Sequence, residues 1–255
     1  MPQNIETLFM QSDSTFQTLY LGARLQSIFD IVESVQHSNR YDSIWDCCCD
    51  HGYLGINILN ANISGKLYFV DQVPHIIKRL VPKLEQYPAD KYDLFSADAG
   101  ELKFSSQQRH LVILAGISGK TIIKVLQTIK QNHPDGDIDF ILCPTNAIYN
   151  VRDYLNQQPL SLLDEILVTE KNRHYEVIYV SSLVGSSVGD GAEGKAVSLT
   201  GAMWDGDNQI HQGYLHKLIK HFEREAQGDD RQRSKDILKE YQATYNKLYS
   251  AAELV

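Results

Sequence analysis

The sequence predicts a doubly wound α/β fold whose mainly parallel sheet ends in an antiparallel hairpin, followed by a small helical C-terminal region. Three observations predict it. Between residues 41 and 143, short runs of strand formers alternate with helical stretches of about 10–15 residues, the mark of βαβ units. Two further strand patterns, Ser161 to Thr169 and His174 to Ser182, are joined by the tight polar turn Glu170-Lys171-Asn172-Arg173. Beyond a Gly/Ser-rich stretch, two amphipathic helical patterns close the chain.

Taken in order, Phe16 to Val35 carries apolar residues at helical spacing (Leu19, Leu21, Leu25, Ile28, Phe29, Val32, Val35), which predicts a helix leading into the core. Tyr41 to Cys49 is a short apolar strand ending at the polar Asp50-His51-Gly52. Tyr53 to Asn60 is the next helix, packing Leu54, Ile56, Ile58 and Leu59. Lys66 to Val70 is a strand closed by Asp71, and Pro74 to Tyr87 a helix that Pro82 is expected to kink or interrupt. Tyr92 to Ala97 is a strand followed by Asp98, and His110 to Ala115 a strand ending in Gly116. A helix over Thr121 to Ile129 and a strand over Ile138 to Cys143, closed by Pro144, complete the series. The hairpin then makes a mixed sheet edge. Gly185 to Gly201 is low in hydrophobicity and reads as a mobile linker. Gln212 to Ala226 and Ser234 to Ser250 form a helical hairpin broken at Gly228-Asp229-Asp230. The expected division is an α/β domain over 1–184, a linker over 185–201 and a helical, substrate-binding appendage over 202–255.

Composition narrows the class. Hydrophobic residues make up 43% and charged residues 22% of 255, enough apolar material for a packed core. No apolar run approaches the ~20 residues that cross a bilayer. The first twenty residues carry neither a basic segment nor a compact apolar one, so no signal peptide is expected and a cytoplasmic location follows. Three of the four cysteines are adjacent, which is no disulfide framework. A net charge of −8 opposes a uniform nucleic-acid footprint while leaving room for a local basic patch.

The residues that carry chemistry fall at successive strand ends. In Trp45-Asp46-Cys47-Cys48-Cys49-Asp50-His51-Gly52-Tyr53-Leu54 the first strand meets the first helix of the sheet, the usual ligand crevice of such folds. Gly52 permits close backbone approach, and Asp50 suits an ammonium or a bound water; it suits a plain helix N-cap equally well. Asp71 has the position to accept both hydroxyl hydrogens of a ribose, the bland reading being a turn residue before Pro74. Asp98 is placed to receive an exocyclic amino group. Ala115-Gly116-Ile117-Ser118-Gly119 allows close approach to the backbone, or is a helix start capped by Ser118. Cys143-Pro144-Thr145-Asn146 offers an amide oxygen or hydroxyl to a base edge, or is a turn that starts a helix. The cysteine triplet lacks the C-x₂₋₄-C spacing of zinc sites, so no metal is expected and buried thiols are. A G-x-G-x-x-G fingerprint is absent, which weakens an NAD-dependent oxidoreductase.

These segments resemble the TrmK-like bacterial tRNA (adenine-N1)-methyltransferases. Leu21-Gly22-Ala23-Arg24-Leu25 is similar to that family's L-S-x-R-L, and Asp50-His51-Gly52-Tyr53-Leu54 matches its most specific motif without change. Leu114-Ala115-Gly116-Ile117-Ser118-Gly119 resembles I-A-G-M-G-G, and Leu142-Cys143-Pro144-Thr145-Asn146 resembles L-Q-P-N. The closing hairpin and the last two helices resemble the family's sheet edge and its coiled-coil-like C-terminal domain. Departures are Cys48 where the family has glycine in D-I-G-S-D-H-G, Ile117-Ser118 for its M-G, and Thr145 for its asparagine, with Asn146 one step later.

The resemblance implies a class I, S-adenosyl-L-methionine-dependent, Rossmann-like methyltransferase that alkylates N1 of an adenine in tRNA. It implies cofactor contacts from Arg24, Cys48, Asp50, Gly52, Tyr53, Asp71, Gln72, Asp98, Ala99, Ala115 and Gly116. It further implies that Asp50 or His51 takes the proton shed by the alkylated base, and that Thr145 or Asn146 holds the base edge. Lys217, Lys220, Arg224, Arg231, Arg233, Lys235, Lys239 and Lys247 would meet the tRNA, unless they form an ordinary solvated helix face with i,i+4 pairs. The alternative is a methyltransferase-fold protein that binds cofactor or a partner and does not methylate tRNA.

Overall fold

In the computed structural model of the chain, residues 19–37, 40–63, 65–182, 195–228 and 231–249 are described. Among them seven strands form one sheet: β1 (Ser43–Cys47), β2 (Lys66–Asp71), β3 (Tyr92–Ser96), β4 (His110–Ala115), β5 (Ile138–Cys143), β6 (Ser161–Glu170) and β7 (Arg173–Ser181). Their spatial order is β3-β2-β1-β4-β5-β7-β6. The first five run parallel, and β7 pairs antiparallel with both β5 and β6. Lys171 and Asn172, the two residues between β6 and β7, both have positive φ (47° and 62°). That is the geometry whose twist matches a two-residue hairpin.

Strand periodicity builds two cores. Ile44, Leu67, Phe69, Leu111 and Ile113 face one side, against α1 (Ala23–Gln36), α2 (Tyr53–Asn60) and α3 (Pro74–Leu84). Their neighbours Trp45, Val70, Val112 and Leu114 face the other, against α4 (Gly119–Asn132) and α5 (Ile148–Asn156). Because successive side chains alternate across a strand, both faces being covered makes the parallel strands almost continuously apolar. The doubly wound fold with a hairpin edge is thereby present as expected.

Several boundaries differ from expectation, each for a local reason. The first helix begins at Ala23; residues 16–18 lie outside the described residues. Leu19 is tied into the core instead, its N–H donating to Asn57 Oδ1 (3.1 Å) and its carbonyl accepting from Asn57 Nδ2 (3.0 Å). α3 continues through Pro82 but stops two residues later at Leu84. α4 starts early because Ser118 Oγ accepts the Thr121 N–H (3.1 Å), so the N-cap reading of Ser118 holds. α5 follows the Cys143-Pro144-Thr145-Asn146 turn, in line with the reading of that turn as a helix start; its N-cap is Ala147, in the left-handed region and without a capping side chain.

The C-terminal helices are α6 (Gln209–Glu225) and α7 (Arg231–Tyr249). They pack on each other through Leu215, Ile219, Ile237 and Tyr241, and on Tyr149 of α5. The mobile linker expected over 185–201 needs correction at its second half; 185–194 lies outside the described residues. Lys195 bridges to Leu162, Val197 is buried in the core, and Asn156 Nδ2 donates to the Val197 carbonyl (2.9 Å). Beneath them Arg152, with no exposed surface, ion-pairs with Glu165 (2.7 Å) and Glu176 (2.6 Å), and Tyr214 of α6 donates to Glu176 (2.9 Å). Helix α6 is thus joined to the sheet by a buried polar bond, and α5 by the Arg152 pairs. No helix among the described residues is long and apolar enough to cross a membrane.

Candidate active site

Strands β1 and β4 are neighbours, and the chain leaves β1 toward α2 on one face of the sheet and β4 toward α4 on the other. A crevice opens there, as it does at the switch point of open α/β sheets. It has two chambers. One, of about 630 Å³, is lined by Asp71, Gln72, Ala97, Asp98, Ala99 and residues of α4 including Lys120 and Lys124. The other, of about 710 Å³, is lined by Arg24, Asp46, Asp50, His51, Tyr53, Ala115 and Gly116 among others. Cys48, Asp71, Gln72 and Thr121 face both.

The floor is a tightly coiled turn between β1 and α2. Cys48, Asp50 and Gly52 all have positive φ (59°, 47° and 71°). Only glycine adopts this freely, and Cys48 holds it at a cost of about 1–2 kcal/mol. At Gly52 a Cβ would also stand 2.6 Å from Leu80 Cδ2, so the buried Leu80 would have to shift to admit a side chain. Gly52 is itself the N-cap of α2, which corrects the capping reading of Asp50. The Asp50 carboxylate instead pairs with His51, Oδ1 to Nδ1 at 2.7 Å, both side chains more than half exposed at the mouth of the crevice. The His51 ring lies beside Tyr53 (centroids 5.4 Å apart), which also carries Lys83 Nζ over its face.

Three charged groups sit deeper. Asp71 is 8% exposed; Oδ1 accepts the Val73 N–H (3.0 Å) and Oδ2 the Asp50 N–H (3.4 Å). Asp46 is buried within β1, and burial pushes its carboxyl up to about 7; the Gly55 N–H on Oδ2 (3.1 Å) opposes the shift and nearby Asp71 adds to it. Arg24, on the first turn of α1, reaches the second chamber beside Gly116, with its guanidinium 5.4 Å from the Tyr175 ring. Its Nη1 is buried and has no hydrogen-bond partner. A buried donor left unmade costs about 1–3 kcal/mol or more when charged, a cost that an anionic ligand group would offset.

The cysteines line this floor as thiols. Burial lifts Cys48 to about 11 and raises Cys47 and Cys49 further, with neighbouring acids adding to each shift. Cys47 packs into one core and Cys49 into the other, so the triplet does not converge. Among the described residues no group of three or more His, Cys, Asp or Glu is gathered as a metal site.

The structure therefore brings together every expected cofactor residue: Arg24, Cys48, Asp50, Gly52, Tyr53, Asp71, Gln72, Asp98, Ala99, Ala115 and Gly116 lie on the crevice or in its floor. Thr145 and Asn146 are placed otherwise. Thr145 Oγ1 donates to the Ile117 carbonyl (3.2 Å), and Asn146 Oδ1 accepts the Gly119 N–H (3.3 Å). Neither lines a chamber; Asn146 lines a third hollow, of about 620 Å³, between α5 and the C-terminal helices. Sequence reasoning missed Asp46, whose signal was a carboxylate inside an otherwise apolar strand. Lys120, Lys124 and Asn150 it also missed, because only the fold brings α4 and α5 to the crevice.

A family described as a methyltransferase domain matches residues 21–178. A search of curated proteins finds no match. Among solved structures, M. capricolum TrmK in complex with S-adenosyl-homocysteine superposes with a TM-score of 0.69 at 15% identity, over 91% of this chain and 100% of that one. The B. subtilis m1A22 tRNA methyltransferase TrmK gives 0.62 at 19% identity, over 90% and 97%. Streptococcus pneumoniae Sp1610 in complex with S-adenosyl-L-methionine gives 0.64 at 15% identity, over 89% and 100%. These likenesses establish a shared fold.

Proposed function

Because the chain belongs to the methyltransferase-domain family, we propose that it moves a methyl group from S-adenosyl-L-methionine to N1 of an adenine in tRNA. The observation that carries this reading is the unpartnered, buried Nη1 of Arg24, which lines a crevice together with Asp46, Asp50 and Asp71. That donor set suits an amino acid attached to a nucleoside. Arg24 would hold the carboxylate, Asp46 and Asp50 the ammonium, Asp71 the ribose hydroxyls, and Asp98 an amino group of the base. Gly52 and Cys48 shape the floor, while Tyr53, Gln72, Ala99, Ala115 and Gly116 supply walls. Bound there, the cofactor supplies an electrophilic methyl on a sulfonium.

The chain's own residues then orient and deprotonate. Adenine N1 is nucleophilic without activation, so positioning supplies much of the rate. With Asp50 engaging Nδ1, His51 presents Nε2 as the basic atom at the mouth of the crevice. Thr145 and Asn146, bonded to Ile117 and Gly119, act by shaping the loop over which the base enters.

Two observations support tRNA as the acceptor. The likeness to the TrmK structures covers about nine tenths of this chain and so extends into α6 and α7. Exposed cations also follow a continuous trough: Lys120 and Lys124 in the first chamber, Arg233 and Lys217 in the third hollow, then Lys220 and Arg224. Asn150 lines both of the first two spaces, and Lys217 lines the last two. Among the described residues Lys217, Lys220 and Arg224 enter no salt bridge, unlike a self-paired helix face; Lys239 with Asp236 is the pair within one helix. We place the substrate-binding part of the chain in this helical region, and the chain in the cytoplasm.

The test is incubation with tRNA and methyl-labelled cofactor, then nucleoside mapping. N1-methyladenosine is the expected product. Charge reversal at Lys217 and Arg233 should weaken tRNA binding and lower the slope of log affinity against log salt by about one for each phosphate no longer neutralised. Tight cofactor binding with no methylation of any tRNA would instead favour a cofactor- or partner-binding protein.

A further inference from the structure

Arg24 is contacted from the hairpin edge of the sheet. Helix α1 has Gly22 as its N-cap and so no capping side chain of its own, and its first-turn N–H groups need acceptors. One acceptor comes from 146 residues away: Glu170, the last residue of β6, receives the Arg24 backbone N–H on Oε2 at 3.0 Å. The fit is close, for a Cβ added at Gly22 would collide with the Glu170 carboxylate. From the other strand of the same hairpin, Tyr175 lies under the Arg24 guanidinium. Arg24, which lines the second chamber, is therefore held by its backbone through β6 and by its side chain through β7, and its buried Nη1 has no hydrogen-bond partner.

We infer that Glu170 is a positioning residue which, through the start of α1, aims Arg24 at the carboxylate of an amino-acid-bearing nucleoside. Glu170 does not line either chamber, so it acts through Arg24 and not by contact. A carboxylate at a helix N-terminus also offsets the positive end of the helix dipole, which holds the first turn in one place. The inference rests on the cofactor reading above, because it needs a ligand carboxylate for Arg24 to meet.

Calorimetric titration separates the two. S-adenosylhomocysteine carries the amino-acid group; 5′-methylthioadenosine is the same nucleoside thioether without it. Glu170→Ala should weaken S-adenosylhomocysteine about tenfold, the worth of a lost cap, and leave methylthioadenosine unchanged. Glu170→Gln, which keeps an acceptor oxygen, should restore most of the affinity. In an Arg24→Ala background, Glu170→Ala should have no further effect on S-adenosylhomocysteine. Equal weakening of both ligands, or of neither, would overturn the inference while leaving the cofactor site standing. Binding of neither ligand by the unsubstituted chain would overturn the cofactor reading and this inference with it.

Discussion

Arg24 and Arg152 both sit against the β6–β7 hairpin, and their surroundings are opposite. Every nitrogen of Arg152 has a partner: Nε meets Glu176, Nη1 the Ser198 carbonyl, and Nη2 Glu165 and Glu176. Those partners come from both strands of the hairpin and the segment before α6, so the network joins these elements to α5. Arg24 also sits against the hairpin, but its Nη1 is buried without a partner, in a crevice of hundreds of cubic ångströms. A saturated buried arginine holds a fold together; an unsaturated one facing a cavity waits for a ligand. The difference lies in what the neighbours leave unfilled.

The largest break in this comparison is Arg152→Ala. It strands Glu165 and Glu176 in the core, and a buried charge deprived of its partner costs about 3–5 kcal/mol. Urea unfolding should show that loss, with increased proteolysis of α6 and α7. An unchanged midpoint would mean that the network is not what fixes the helical region.

A smaller effect comes from Asp46. Its folded pKa, about 7, lies above the ordinary 3.8. The folded state therefore binds more protons than the unfolded one between those values. Asp46 favours the fold fully at pH below about 4, and that contribution is lost as pH rises toward 7, at no more than roughly 1.4 kcal/mol per unit. Asp46→Asn keeps an oxygen for the Gly55 N–H and should remove this slope, leaving the variant more stable than the unsubstituted chain at pH 8 and near it at pH 4. Parallel slopes in urea midpoints against pH would count against the assignment.

The smallest effect is at Cys48. Glycine there relieves the positive φ, and Cys48→Gly should raise stability by about 0.5–1 kcal/mol after the added flexibility of the unfolded chain is subtracted. Cys48→Val, β-branched in the same region, should lower it by about 1–2 kcal/mol. The opposite order in thermal melts would show that Cys48 packing outweighs backbone strain.

What the sequence made legible was local or periodic. Strands β4 and β5 and helix α2 match their expected limits because each is an unbroken run bounded by polar or turn residues. The aspartates at strand ends were legible because topology alone sends them to one crevice. Asp46 was hidden among apolar neighbours, and its significance came only with the cavity. The start of α5 was legible only as one of two readings of the 143–146 turn, because its cap, Ala147, carries no capping side chain. The segment around Val197 read as linker since its partners, Leu162 and Asn156, lie far earlier in the chain. Thr145 and Asn146 were assigned by motif position, whereas their bonds to Ile117 and Gly119 depend on how two loops meet. Distant partnership, not composition, separated Arg24 from Arg152.

The central claim is that the crevice at the end of β1 is a nucleoside–amino acid site closed by Arg24. Titration of S-adenosylhomocysteine into the unsubstituted chain and into Arg24→Ala tests it most directly. Micromolar binding is expected, falling about 10–100-fold in the variant, the worth of a lost hydrogen bond to a charged group, with thermal stability nearly unchanged. No binding by the unsubstituted chain, or equal binding by both, would contradict the account.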